Sequence, residues 1–177
     1  MHFRDAAGRR SEELLGRDNA HWSVFFDSDA SFMVGKDIGD RGGGSFRTVG
    51  AVRRYSLFDQ YAMGLVSPSQ VPAFLYVEAP TNIVPERDRE DGPDTGVTFN
   101  GTRREVLIED VIDVMGRREP SSSSSPKTHR QAFVYVVSNG RTLDETQIDK
   151  LERIRSAWPD FFREATARRM SVQTSLR

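Results

Sequence analysis

Not one of the 177 residues is a cysteine, so no disulfide can hold the chain together, and no thiolate can ligate a metal or attack a substrate. The fold must therefore rest on a buried apolar core, which a chain of this length can form as one domain. A single domain over residues 1–177 is expected, of ordinary globular composition, with two Trp and eleven Phe to fill it. The formal net charge of −1 creates no overall field that would draw the chain to nucleic acid or to an anionic membrane surface. Neither partner is expected. The first residues, Met-His-Phe-Arg-Asp, are polar at once and do not read as a signal peptide. No apolar run approaches the roughly 20 residues of a membrane-spanning helix.

Residues 1–20 are polar around Leu14-Leu15, a pattern that predicts a short helix ending near Gly16. Residues 21–34 join two aromatic clusters through the acidic stretch Asp27-Ser-Asp29, a buried but irregular segment. Gly42-Gly43-Gly44 reads as a turn into a strand from Ser45 to Val52. The clearest helix lies in residues 55–65. Ser56 caps it, Asp59 offsets its positive end, and Leu57, Phe58, Tyr61 and Leu65 share a face. Residues 73–78 predict a strand and residues 81–96 an exposed loop. Asn100-Gly101 has the composition of a tight hairpin turn, and residues 108–115 fit a two-turn helix stopped by Gly116.

Five serines, 121–125, followed by Pro126 predict a linker or disordered loop. The apolar run at residues 132–137 is the best strand candidate in the chain. A helix over about 143–157 comes next, with Ile148, Leu151, Ile154 and Trp158 at helical spacing; Pro159 kinks it or opens a second helix, and residues 171–176 suit an edge strand. The architecture predicted is α+β: an irregular helical N-terminal half, then a small sheet of short strands with a C-terminal helix packed on it.

Most sites fail at the level of spacing. Asp27-Ser-Asp29-Ala-Ser31 alternates oxygen ligands as a calcium loop does, but Phe32 stands at the sixth position and Ile38 at the twelfth, where glycine and glutamate belong. Glu109-Asp110 and Asp144-Glu145 sit at helix starts, where carboxylates offset the unsatisfied amides. His2 and His129 are surface residues without a partner motif. Phosphate-binding glycine loops, Gly-x-Ser-x-Gly elbows and dinucleotide fingerprints are absent.

His21 stands apart because of the residues downstream of it. His21-Trp22, then Ser31-Phe32-Met33, then the helix at 55–65, resembles the third-ligand and Met-turn region of metzincin zinc peptidases, especially the leishmanolysin-type enzymes. By that resemblance His21 is a zinc ligand, Met33 the Met-turn residue below the metal, and 55–65 the supporting helix. The resemblance covers about a quarter of the chain. It implies a secreted bacterial metallopeptidase, extracellular or periplasmic, that uses zinc to hydrolyse a polypeptide substrate. No His-Glu-x-x-His occurs, so two ligands and the general base are missing. The expectation is a C-terminal portion of a peptidase domain, inactive as given, without catalytic residues and without tightly bound zinc, whose missing segment lies upstream. The alternative is a non-catalytic module for a partner protein or polysaccharide. An exposed apolar face at Trp22, Phe25 and Phe26 would indicate a missing segment; a closed core around His21 would favour the independent module.

Overall fold

The computed structural model describes residues 1–175, and these fall into two compact units, one spanning Met1–Ser125 and one beginning at Pro126. The class is α+β. In the first unit a two-stranded ribbon, β1 (Phe3–Arg4) and β2 (Arg10–Ser11), precedes an antiparallel sheet of order β3-β4-β6-β5, built from β3 (Lys36–Asp40), β4 (Ser45–Ala51), β5 (Phe74–Val84) and β6 (Thr98–Val106). Helices α1 (Leu57–Ala62) and α2 (Ile108–Met115) complete the unit. No helix among the described residues is long and apolar enough to cross a membrane.

β5 begins as a continuous apolar run because both of its faces are covered. Phe74 and Tyr76 join a cluster with Phe3, Trp22, Phe26 and Phe58, whereas Leu75 and Val77 join Val24, Phe25, Phe46 and Phe99. Alternation along a strand sends successive side chains to opposite faces, so one strand serves two cores. Residues 25–27 run beside it. The Asp27 amide donates to the Leu75 carbonyl at 2.8 Å and the Val77 amide to the Phe25 carbonyl at 2.9 Å. The middle of the irregular segment thus lies along β5, and Trp22, Phe25 and Phe26 supply both cores.

Asn100-Gly101 lies inside β6, not in a turn. A β-carbon on Gly101 would meet Val77 Cγ1 at 2.4 Å and the Glu78 carbonyl oxygen at 3.0 Å. The glycine is there for close approach to β5, beside the register shift between Glu78 and Thr81. The hairpin turn is instead made by Gly42, Gly43 and Gly44, all at positive φ, between β3 and β4. Leu14 and Leu15 are buried in a turn and a bridge to Trp22, and no helix forms there. The serines 121–125 are hydrogen-bonded rather than open: Ser121 accepts from the amides of Ser124 and Ser125, and the buried Ser125 hydroxyl donates to the Gly64 carbonyl.

In the second unit α3 (Glu145–Ala165) packs on β8 (Ser171–Gln173), which pairs in parallel with β7 (Thr128–Arg130). Asp144 caps α3 by accepting from the Thr146 and Gln147 amides. The helix continues through Pro159 for a further turn and a half, where the sequence predicted a kink or a second helix. Residues 132–137 form no ladder among the described residues, because β8 ends at Gln173 and propensity without a partner strand makes no sheet. Leu176, the expected end of that edge strand, lies outside the described residues.

Candidate functional site

Two stretches far apart in sequence meet around Asp59. Ser56 caps α1, and the Asp59 carboxylate reaches back to the Ser56 amide at 2.7 Å, completing a reciprocal capping pair. That carboxylate also accepts from the Ser56 hydroxyl at 2.8 Å and from the Trp22 indole N–H at 2.9 Å. Asp59 is 4% exposed. Burial raises its pKa above the ordinary carboxylate value, while the hydroxyl, indole and amide donors oppose that rise by favouring the anion. Sequence reasoning placed Asp59 at a helix start; the Trp22 partner, 37 residues away, has no local signal.

The same contacts fix the turn beyond His21. The Trp22 amide donates to the Met33 carbonyl at 2.9 Å, and the Met33 amide donates to Ser31 Oγ at 3.0 Å. His21 is partly exposed, with its ring Nδ1 3.1 Å from the Arg17 carbonyl oxygen. A carbonyl partner requires the proton on Nδ1, which leaves the Nε2 lone pair available to a metal, in the pattern by which a backbone carbonyl orients a ligating imidazole. Gly16 closes this corner. Its amide donates to the His21 carbonyl at 2.8 Å, and a β-carbon there would stand 2.5 Å from the carbonyl oxygens of both Trp22 and Arg89.

Beside these residues lies a hollow of about 250 Å³ lined by Met1, Leu15, Trp22, Met33, Tyr55 and Met63, among others. Its wall is mostly apolar. Met33 is 38% exposed, so it faces this hollow from the rim instead of lying buried as the resemblance implies. Trp22, Phe25 and Phe26 are all buried and form no exposed apolar face, whereas His21 itself is only partly buried.

No group of three or more His, Cys, Asp or Glu among the described residues is placed to hold a metal. The calcium-like stretch is taken up internally. Asp29 forms a two-point ion pair with Arg54, at 2.5 and 3.1 Å, and Ser31 Oγ accepts the Met33 amide. Asp27 accepts the Asp29 amide at 3.2 Å, and burial pushes its pKa up to about 6, with Asp37 and Asp29 adding repulsion. His2 pairs with Glu12 at 2.9 Å, and His129 lies exposed in β7.

Lys36 is the other buried charge and was not read from the sequence. It is fully buried, with Nζ donating to the carbonyls of Val34 at 3.4 Å and Asp91 at 3.3 Å. Burial lowers its pKa to about 8, against the pull of Asp91 and Asp94. It ties the loop carrying Asp91 to β3. One signal was available: a lysine within an apolar stretch of a chain whose cations are almost all arginine.

Comparison with known proteins gives no relative: no protein-family model, no curated protein and no solved structure matches the chain.

Proposed function

We propose that residues 1–125 are the C-terminal portion of a zinc metallopeptidase-like domain, in which His21 is one metal ligand and a preceding segment supplies the other two imidazoles and the general base. The observation that carries this reading is the convergence on Asp59. The His21-Trp22 segment is bonded to the Met33 carbonyl, and Trp22 is bonded through its indole to Asp59 in the first turn of α1. The segments that carry His21, Met33 and α1 are thus joined by hydrogen bonds, which supports this reading. The Nδ1 contact of His21 with the Arg17 carbonyl, and an apolar hollow bordered by Trp22 and Met33, add to it.

In such a site His21 would hold zinc through Nε2, with Arg17 setting the ring orientation. Bound zinc would supply Lewis acidity and a water of lowered pKa for attack on a peptide carbonyl. One imidazole is too few to retain zinc tightly, because affinity depends on several deprotonated ligands held together. The 177-residue chain should hydrolyse nothing by itself. The intact protein would act on polypeptides outside the cytoplasm.

A second reading, a non-catalytic module for a partner protein or polysaccharide, is supported by the burial of Trp22, Phe25 and Phe26, which present no exposed apolar face. The reading frame upstream of Met1 separates the two. A His-Glu-x-x-His codon run within some tens of residues is expected for the peptidase; a stop codon followed by a promoter would overturn it in favour of the module.

A further inference from the structure

Among the described residues of the second unit, the most strand-like segment pairs with no other strand. Residues 132–137 are Ala-Phe-Val-Tyr-Val-Val, and among the described residues none of their backbone groups takes part in a hydrogen bond within the chain. The ladder to β8 ends one step earlier, with the Gln131 amide donating to the Gln173 carbonyl at 3.0 Å. Burial nevertheless alternates as in a strand. Gln131 and Phe133 face α3: the Gln131 side-chain oxygen accepts from the Trp158 indole, and the Phe133 ring meets Trp158 edge-on at 6.2 Å. Ala132, Val134 and Val136 point the other way into solvent, with Val134 73% and Val136 83% exposed. An unpaired edge of this length that is also apolar is a template for another strand.

We infer that residues 131–137 pair antiparallel with the same residues of a second copy of this chain, across a two-fold axis at Val134. Three features of the segment choose this occupant and register. It carries no charge between Gln131 and Val137 and has Arg130 at one end with uncharged Ser138 and Asn139 at the other. Antiparallel pairing sets Arg130 against Ser138 of the second copy, whereas parallel pairing would stack Arg130 on Arg130 and His129 on His129. Residues directly opposite in an antiparallel pair share a face. Only a register centred on a residue, not between two, therefore joins the exposed face of one copy to that of the other. Centring on Val134 pairs Ala132 with Val136 and keeps all seven residues in the ladder; a shift of one residue in either direction loses pairs or sets Arg130 against an apolar side chain. The contact is isologous and closes as a dimer.

The absence of native cysteine makes a direct test available in the full-length chain. Val134→Cys places two thiols opposite one another, within the short Cα separation a disulfide requires. Val136→Cys places its thiols about 13 Å apart along the ladder. Mild oxidation should convert Val134→Cys to a covalent species of twice the 20.0 kDa chain mass and leave Val136→Cys uncoupled. The unmodified chain should show a concentration-dependent dimer by sedimentation, with the amides of 132–137 protected from hydrogen exchange only where the dimer is populated. That exchange measurement stands even if a substituted chain fails to fold. A monomer at every concentration up to about 200 µM would overturn the proposal and leave the edge to a different protein. Equal coupling of both cysteine variants, or growth into open fibres, would overturn the two-fold register.

Discussion

The two units treat their aromatic residues differently. In the first, Phe3, Phe26, Phe46, Phe58 and Phe99 are each 1% exposed or less, and Trp22 sits among them with its indole N–H satisfied by Asp59. In the second, Phe161 is 50% exposed and Ile154 44%, although α3 repeats apolar residues at helical spacing along its length. The difference arises from the surface each helix face has to pack against. β5 presents apolar side chains on both faces and receives α1, α2 and the 21–34 segment, whereas β7 and β8 are three residues each. A small unit has too much surface per residue to bury such a helix alone. The lesson is that an amphipathic pattern specifies an element's need for a partner, not that the partner lies within the same unit.

The contrast predicts unequal responses to truncation. Trp22→Ala should have the largest effect, costing about 3–5 kcal/mol of stability by urea denaturation, because it opens a cavity and removes a donor from buried Asp59. Destabilisation below about 1 kcal/mol would mean that the first core is far looser than its burial indicates. Asp59→Ala should cost about 2–3 kcal/mol, since the Ser56 amide and the Trp22 indole both lose their acceptor. Asp59→Asn should cost less, as its side-chain oxygen still accepts.

Two desolvated charges, partly buried Asp27 and buried Lys36, should appear in the pH dependence of folding with opposite signs. Asp27 titrates at about 6 in the folded chain and near 3.9 when unfolded. The native state therefore binds more protons between those values, and stability falls as pH rises through that window. Asp27→Asn should remove about 1–2 kcal/mol of that fall, less than the full shift implies because the side chain retains solvent contact. Lys36 titrates at about 8 when folded and near 10.4 when unfolded. Here the unfolded state binds more protons, so stability should rise as pH increases from about 8 to about 10, and Lys36→Met should abolish the rise. The smallest effect is expected in the second unit: Phe161→Ala should change stability by less than about 0.5 kcal/mol, in line with its exposure. A loss comparable to that of Trp22→Ala would show that Phe161 is covered in solution.

Elements whose cause is local were legible in the sequence. The Ser56 cap with Asp59 three residues on predicted α1, and the periodicity of Ile108, Val111, Ile112 and Met115 predicted α2 at its observed bounds. The α+β class came from such elements. Features whose cause is a distant neighbour were not legible. Asn100-Gly101 has hairpin composition, yet the residue that requires the glycine is Val77 on the adjacent strand. The strongest strand signal, at 132–137, has no ladder, since pairing depends on a second strand that local composition cannot supply. In the candidate site, His21 and Met33 were found by resemblance, whereas the bond joining their segments, the Asp59 acceptor network and the buried Lys36 depend on contacts across 11, 37 and 55 residues.

The central claim is that His21 is one ligand of a zinc site completed by a preceding segment. Equilibrium zinc binding tests it most directly, measured on the 177-residue chain and on the chain extended upstream by its natural sequence, each with and without His21→Ala. Weak binding by the shorter chain, and one tightly bound zinc per extended chain weakened at least tenfold by His21→Ala, is the predicted result. Tight stoichiometric zinc in either chain that is indifferent to His21→Ala would contradict it.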